Sequence, residues 1–328
     1  MQPNSHWAAV IGVAVLTTLP ASPARAQDYP TRTVTIVAPS APGGMYSILA
    51  RLIGGKLERL YGKSFVVENR PGASSVTGAV AVMRAPPDGY TLMVATSSTL
   101  ATNVTLHKNL PYDPLTDFVP ITLIALSPEV LLINASLPVR SIGDLVTLAR
   151  TTPGGLSFGS AGPGTAQHLN GELLKAALGI EMHHIPYKGS APALNDLVGG
   201  HIQMMFCDVP PAMSLIQAGK IRALGVTTAQ RVPAVADIPP LADVGVPGYD
   251  TASWHTVTTT GNVPAPIVDK LYANIRDIMS DASVTEALVK DGAIPQVSPP
   301  PKELKGFVES EIVRWGKVID QAGLAGSE

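Results

Sequence analysis

Three short loops carry the residues best suited to chemistry. Pro39-Ser40-Ala41-Pro42-Gly43-Gly44 lies between a β-branched run and an amphipathic stretch. Paired glycines let the backbone turn sharply and approach a ligand closely, and the free N–H groups of a following helix favour an anion. Gly43 and Gly44 are thus candidate main-chain binders, with a simple tight turn as the alternative. Ser160-Ala161-Gly162-Pro163-Gly164-Thr165 repeats this arrangement ahead of a helix carrying Gln167 and His168. Here Ser160, Gly164, Thr165 and His168 are the candidates. Thr96-Ser97-Ser98-Thr99 puts four hydroxyls at a strand end, Ser97 and Ser98 among them. Such loops at the C-terminal ends of strands suit a small oxyanion held by neutral donors. No dense Arg or Lys cluster accompanies them, so a carboxylate fits better than a phosphate.

Catalytic and metal motifs fail on inspection. Around Ser160 a nucleophile elbow would need glycine two residues earlier, where Phe158 stands. Gly162-Pro163-Gly164 opens like a dinucleotide fingerprint, but Gln167 occupies the third glycine position, and no Lys-Ser/Thr pair follows either glycine loop. His183 and His184 are adjacent in a predicted strand and so point to opposite faces, one inward and one outward, which a single metal cannot easily use. Cys207 is the only cysteine and excludes an intramolecular disulfide. It reads as a buried inert thiol, although with Asp208 it ends a strand that could reach a cleft. No metal or cofactor is expected.

Elements that position these loops follow from periodicity. Thr33–Ala38 reads as a buried strand, followed by a helix in which Leu49, Leu52, Ile53, Leu57 and Leu60 recur at three- and four-residue spacing. Strand Phe65–Glu68, helix Thr77–Arg84 and strand Thr91–Ala95 come next. A second set holds strand Val130–Asn134, a capped helix from Ser141, strand Leu156–Gly159, helix Thr165–Leu178, strand Met182–Ile185, helix Ser190–Val198 and strands Ile202–Phe206 and Ile221–Val226. Helical periodicity then returns, ending with Glu303–Ile319. Alternation of this kind predicts an α/β protein of two lobes, each a mainly parallel sheet flanked by helices. Residues 27–119 and 227–328 would form lobe 1 and residues 120–226 lobe 2, with two crossings as a hinge and the ligand cleft between lobes.

Ala8–Leu19 is apolar but too short to span a bilayer, and Ala24-Arg25-Ala26 offers a signal-peptidase site, so residues 1–26 are expected to be a cleaved signal peptide. No later run reaches the ~18 apolar residues a membrane helix needs. With 23 Lys+Arg against 25 Asp+Glu and 5% aromatics, nucleic acid is not an expected partner. No heptad is visible, so a monomer is expected.

Taken together, several stretches resemble one family, the periplasmic solute receptors of tripartite tricarboxylate transporters, or Bug proteins. They include YPTRTVTIVAPSAPGG (29–44), VVENRPGASSVTGA (66–79), DGYTLMVATSST (88–99), NLPYDPLTDFVPIT (109–122), SFGSAGPGTAQHLNGELLK (157–175), HIPYKGSAPALNDLVGG (184–200), AGKIRALGVTT (218–228) and SWHT (253–256). The resemblance implies a two-lobed periplasmic binder that presents its solute to membrane permease subunits. It further implies that one ligand carboxylate is held by residues 41–47 and 160–168. The chain departs from the family where small residues and then Asp usually follow Gly-Gly: here Met45-Tyr46-Ser47 stand. A Phe-Asp-Asn-like stretch becomes Phe206-Cys207-Asp208, and His255 replaces an aromatic residue after Trp254. Loss of the acid at Ser47 disfavours amino-acid ligands unless Asp208 compensates, and the Tyr46 ring suits an aromatic or hydrophobic monocarboxylate. The competing readings are a sensor that docks a signalling kinase, and a secreted hydrolase using Ser160 and His168.

Overall fold

The computed structural model describes residues 29–40 and 42–328. The expected signal peptide and Ala41 lie outside the described residues.

The first sheet begins with the parallel core that strand–helix–strand alternation predicts. Strand β1 (Val34–Ala38) is followed by helix α1 (Met45–Tyr61), β2 (Phe65–Asn69), α2 (Val76–Met83), β3 (Thr91–Thr96) and the single turn α3 (Asn103–Leu106). β1 pairs in parallel with both β2 and β3. Leu49, Ile53 and Leu57 of α1 are buried against this sheet, the face their spacing marks out. Each fully buried side chain of this size contributes about 1.5–3 kcal/mol.

Next, β4 (Phe118–Ser127) crosses directly into β5 (Glu129–Asn134), with only Pro128 between them. Proline has no N–H for the ladder, so the extended chain breaks there and enters another sheet. The second lobe continues with α4 (Ile142–Thr151), β6 (Leu156–Ser160), α5 (Ala166–Leu178), β7 (Met182–Pro186), α6 (Ser190–Gly199), β8 (Met204–Asp208), α7 (Val209–Gln217) and β9 (Ile221–Val226). The chain returns through β10 (Ser253–Thr260), α8 (Ala265–Met279), α9 (Ala282–Lys290), β11 (Ile294–Pro295) and α10 (Pro301–Gln321).

Both sheets are mixed. The first has the order β11-β4-β10-β3-β1-β2 and the second β7-β6-β8-β5-β9. Parallel pairing is confined to β2-β1-β3 and β7-β6-β8; β10 and β4, and β5 and β9, add antiparallel strands. Because β4 lies within the first sheet, the outward crossing falls at Pro128, later than the expected Pro120. The return crossing is later too. Leu241, Val246 and Tyr249 pack into the second lobe's core with Phe206 and Leu131, so the chain leaves that lobe near Thr251 rather than at 227. The crossings lie side by side: Glu129 N donates to Thr227 Oγ1, Thr227 N to Glu129 O, and Thr251 N to Thr227 O. Ser253 then pairs with Ser127.

Candidate functional site

The site is built from the ends of β1, β3, β6 and β8. Gly43 holds a φ of +88°, a left-handed value that glycine adopts without strain. Gly44 is the extended N-cap of α1 and accepts from Ser47 N and Ile48 N. No side chain caps this helix, and its first turn holds no acid, which leaves the opening N–H groups and their partial positive charge available for an anion. Met45 is packed into the first lobe's core, so it offers its main chain, not its side chain. Tyr46 is half-buried, its hydroxyl 3.1 Å from Thr96 Oγ1 and its ring edge-on to His255 at 5.6 Å. Burial raises the Tyr46 pKa; the Thr96 bond opposes this, and the fields of Asp208 and Glu129 add to it. Those two acids belong to the other lobe, so Tyr46 stands at the boundary. Ser47 is wholly buried and its Oγ has no partner among the described residues.

At the end of β3, Ser97 and Ser98 are buried, and Ser98 N donates to Thr96 Oγ1. These two serines shape the strand end; Thr96 is the hydroxyl that reaches Tyr46. His255 pairs in register with Thr96, and its Nε2 lies 2.8 Å from Ser127 Oγ, while its Nδ1 is buried without a partner among the described residues. Burial holds this imidazole down at about 3, hence neutral.

The second-lobe loop is closed on itself. Ser160 is wholly buried; its Oγ lies 3.0 Å from Gly162 O, 2.6 Å from His184 Nε2, and accepts from Gly162 N. Thr165 caps α5 by accepting from His168 N and donates its hydroxyl to Gly162 O. Gly164 N donates to His168 Nδ1 at 3.1 Å, which makes that nitrogen an acceptor and the imidazole neutral. His168 and His184 stack at 3.8 Å. Burial pushes them down to about 4 and about 3, with His168 adding to the shift at His184. The Ser160–His168 pair required by the hydrolase reading is therefore not formed: the partner is His184, and the serine is sealed from solvent. His183 is exposed on the opposite face beside Gly154 O. Gly164 sits close to the first lobe, since a Cβ there would lie 2.8 Å from Leu106 Cδ1, and the neighbouring Pro163 O accepts from Ser74 Oγ at 2.8 Å.

Asp208 ends β8, partly exposed, beside the end of β6. Cys207, before it, points to the other face and into the core of the α6 and α7 side, so it does not reach the cleft. The residue that sequence reasoning missed is Glu129, buried and in register with Asp208. A buried acid directly after a proline was a visible signal, but its partner depends on strand register, which a single sequence does not supply. His184 turns inward and His183 outward, as their adjacency in a strand predicts, but the Ser160 partner of His184 likewise depends on strand register. Two surface hollows, of about 390 Å³ by Arg150 and Glu181 and about 250 Å³ by Tyr249 and Arg314, lie away from these loops. Among the described residues there is no three-residue cluster suited to a metal, and no helix long and apolar enough to cross a membrane.

Two lobes on mixed sheets, adjacent crossings, and helix starts of both lobes at their boundary define a two-lobed periplasmic binding protein. Residues 49–324 match the family described as Tripartite tricarboxylate transporter family receptor, and the chain belongs to that family of periplasmic solute-binding receptors. Protein BugT of Bordetella pertussis is 33% identical over 96% of this chain and 97% of its own length. The structure of R. palustris Rpa4515 with adipate is 42% identical with a TM-score of 0.85, covering 91% of this chain and 99% of that one. MatC from Rhodopseudomonas palustris with bound malate is 31% identical with a TM-score of 0.79, covering 89% and 100%.

Proposed function

We propose that this receptor, exported to the periplasm as a monomer, captures a small organic carboxylate between its lobes and delivers it to the permease subunits of a tripartite tricarboxylate-type transporter. The observation that carries this reading is the uncapped, acid-free start of α1 at Gly43-Gly44-Met45. The other lobe brings a second acid-free helix start, at Thr165, to the lobe boundary. Both ends favour negative charge without needing a cationic side chain. Structural relatives holding adipate and malate support a carboxylate. Tyr46, Thr96 and His255 would form the wall against the rest of the solute, an aromatic or other hydrophobic body being the kind Tyr46 suits. Contacts from both lobes would favour the closed arrangement by their differential affinity.

A thermal-shift screen against aliphatic, aromatic and amino-acid carboxylates tests the binding step. Ligand at about 100 times its dissociation constant stabilises the folded state by about 2.7 kcal/mol, a plain shift in Tm. Folded protein that responds to no carboxylate would overturn the reading. Delivery is tested by uptake of the identified solute in cells with and without the receptor; equal uptake refutes it.

A further inference from the structure

Glu129 and Asp208 lie opposite each other in the antiparallel pairing of β5 and β8. Residues so placed project to the same face with Cβ atoms about 5 Å apart. That face is the one of Leu131 and Phe206, turned toward α5. Glu129 is 3% exposed, and its Oε2 accepts from Asn170 Nδ2 at 2.7 Å. Asn170 is fixed in turn by the Tyr249 and Thr251 hydroxyls on its Oδ1. None of the ion pairs among the described residues involves either acid. Two neighbouring carboxyls without a cation cannot both ionise cheaply, because burial and mutual repulsion each favour the protonated form.

The titratable groups around the pair are few. β8 carries Cys207 on its other face, the stretch before β10 presents Tyr249, and α1 presents Tyr46; α5 supplies the uncharged amide of Asn170, and the bend after β9 the hydroxyl of Thr227. None supplies positive charge. Burial raises Asp208 to about 6 and holds Glu129 well above the usual carboxylate range, with Asp208 adding to the latter shift. Asp208 therefore changes charge within a moderately acidic window, beside a buried carboxyl that favours its protonated form. Tyr46, the boundary residue that feels both acids, is flanked by two buried polar atoms without partners among the described residues, Ser47 Oγ and His255 Nδ1.

Resting on the carboxylate-binding reading above, we propose that the Glu129–Asp208 pair selects ligand charge: protonated, it admits a solute with a second carboxylate, and ionised, it restricts the cleft to monocarboxylates. Single-carboxylate capture is left to the helix starts. The pair decides what may lie at the far end of the solute.

Adipate and hexanoate share a chain length and differ in one terminal carboxylate, so the ratio of their affinities isolates that charge. The ratio is measured by calorimetry at about pH 8 and about pH 5.5 for the wild type and for Glu129→Gln/Asp208→Asn. Glutamine keeps an oxygen for Asn170 Nδ2, and Asp208→Asn alone, at a partly exposed position, serves if the double variant does not fold. Any titration of the ligands themselves is common to both proteins. Acidification is expected to favour adipate in the wild type by about fivefold or more relative to the variant, as expected for one charge removed at roughly 10 Å. An equal pH dependence in both proteins, or a flat one in the wild type, overturns the inference. If hexanoate binds in that case, carboxylate capture stands and only the selector falls; if no carboxylate binds at either pH, both fall.

Discussion

Ala73, Ser74 and Ser75 hold φ values of 44°, 48° and 78° in succession, a left-handed run without a glycine. Each such residue costs about 1–2 kcal/mol relative to the right-handed region. Two of the three are tied down: Ser74 Oγ donates to Pro163 O across the lobe boundary, and Ser75 Oγ lies 2.9 Å from Thr99 Oγ1. Ala73 has an exposed side chain. Replacing Ala73 with glycine relieves the strain, while the added freedom of the unfolded chain takes back about 0.4–1 kcal/mol. Ala73→Gly should therefore raise the unfolding free energy by about 0.5–1 kcal/mol, measured by urea titration. A neutral or destabilising result would show that the segment is not strained at this residue. The sequence shows Gly72 before this turn but gives no sign that the next three residues also take positive φ values.

Among the elements, α5 carries most of the second-lobe loop and rests on β6 through one glycine. A Cβ on Gly171 would lie 2.1 Å from Phe158 Cε2. Phe158 is wholly buried, with the rings of His184 and His168 stacked at 5.1 and 6.3 Å, so it has little room to retreat. Alanine favours a helix over glycine by about 1 kcal/mol, whereas overpacking a tight core costs about 1–3 kcal/mol. The second effect wins: Gly171→Ala should destabilise by about 1–2 kcal/mol net and loosen the loop that caps α5. A denaturation midpoint equal to or above the wild type would contradict this packing. Helix α5 itself was legible, because Thr165 and the apolar spacing announce it. Strand β10 was not. Ser253–Thr260 is buried along nearly its whole length yet holds four threonines and no apolar run. Its hydroxyls are satisfied by neighbours, as Thr259 Oγ1 by Thr91 O and Thr256 Oγ1 by Thr258 Oγ1, so composition alone hides a central strand.

For the whole molecule, alternation of strands and helices pointed to two lobes, but the antiparallel members of each sheet arise from the crossings and depend on long-range pairing. The same pairing places the ionisable groups that govern stability against pH. Burial holds His168, His184 and His255 at about 4, about 3 and about 3 in the folded protein, against about 6.5 unfolded. Below that unfolded value the unfolded chain binds protons that the folded one refuses. Their contribution is therefore complete above about pH 6.5 and lost as pH falls toward 4 and 3. Asp208, raised to about 6, and Glu129, also raised, act in the opposite sense. Their stabilisation is complete below the unfolded carboxylate value of about 4 and is lost as pH rises through the folded one. Three imidazoles oppose two carboxyls, so Tm should fall between about pH 6.5 and about pH 4.5. Removing the opposing pair with Glu129→Gln/Asp208→Asn should make that fall steeper. Calorimetry of both proteins across the window decides it: a Tm that holds or rises on acidification contradicts the buried neutral histidines, and equal slopes contradict the raised carboxyl pair.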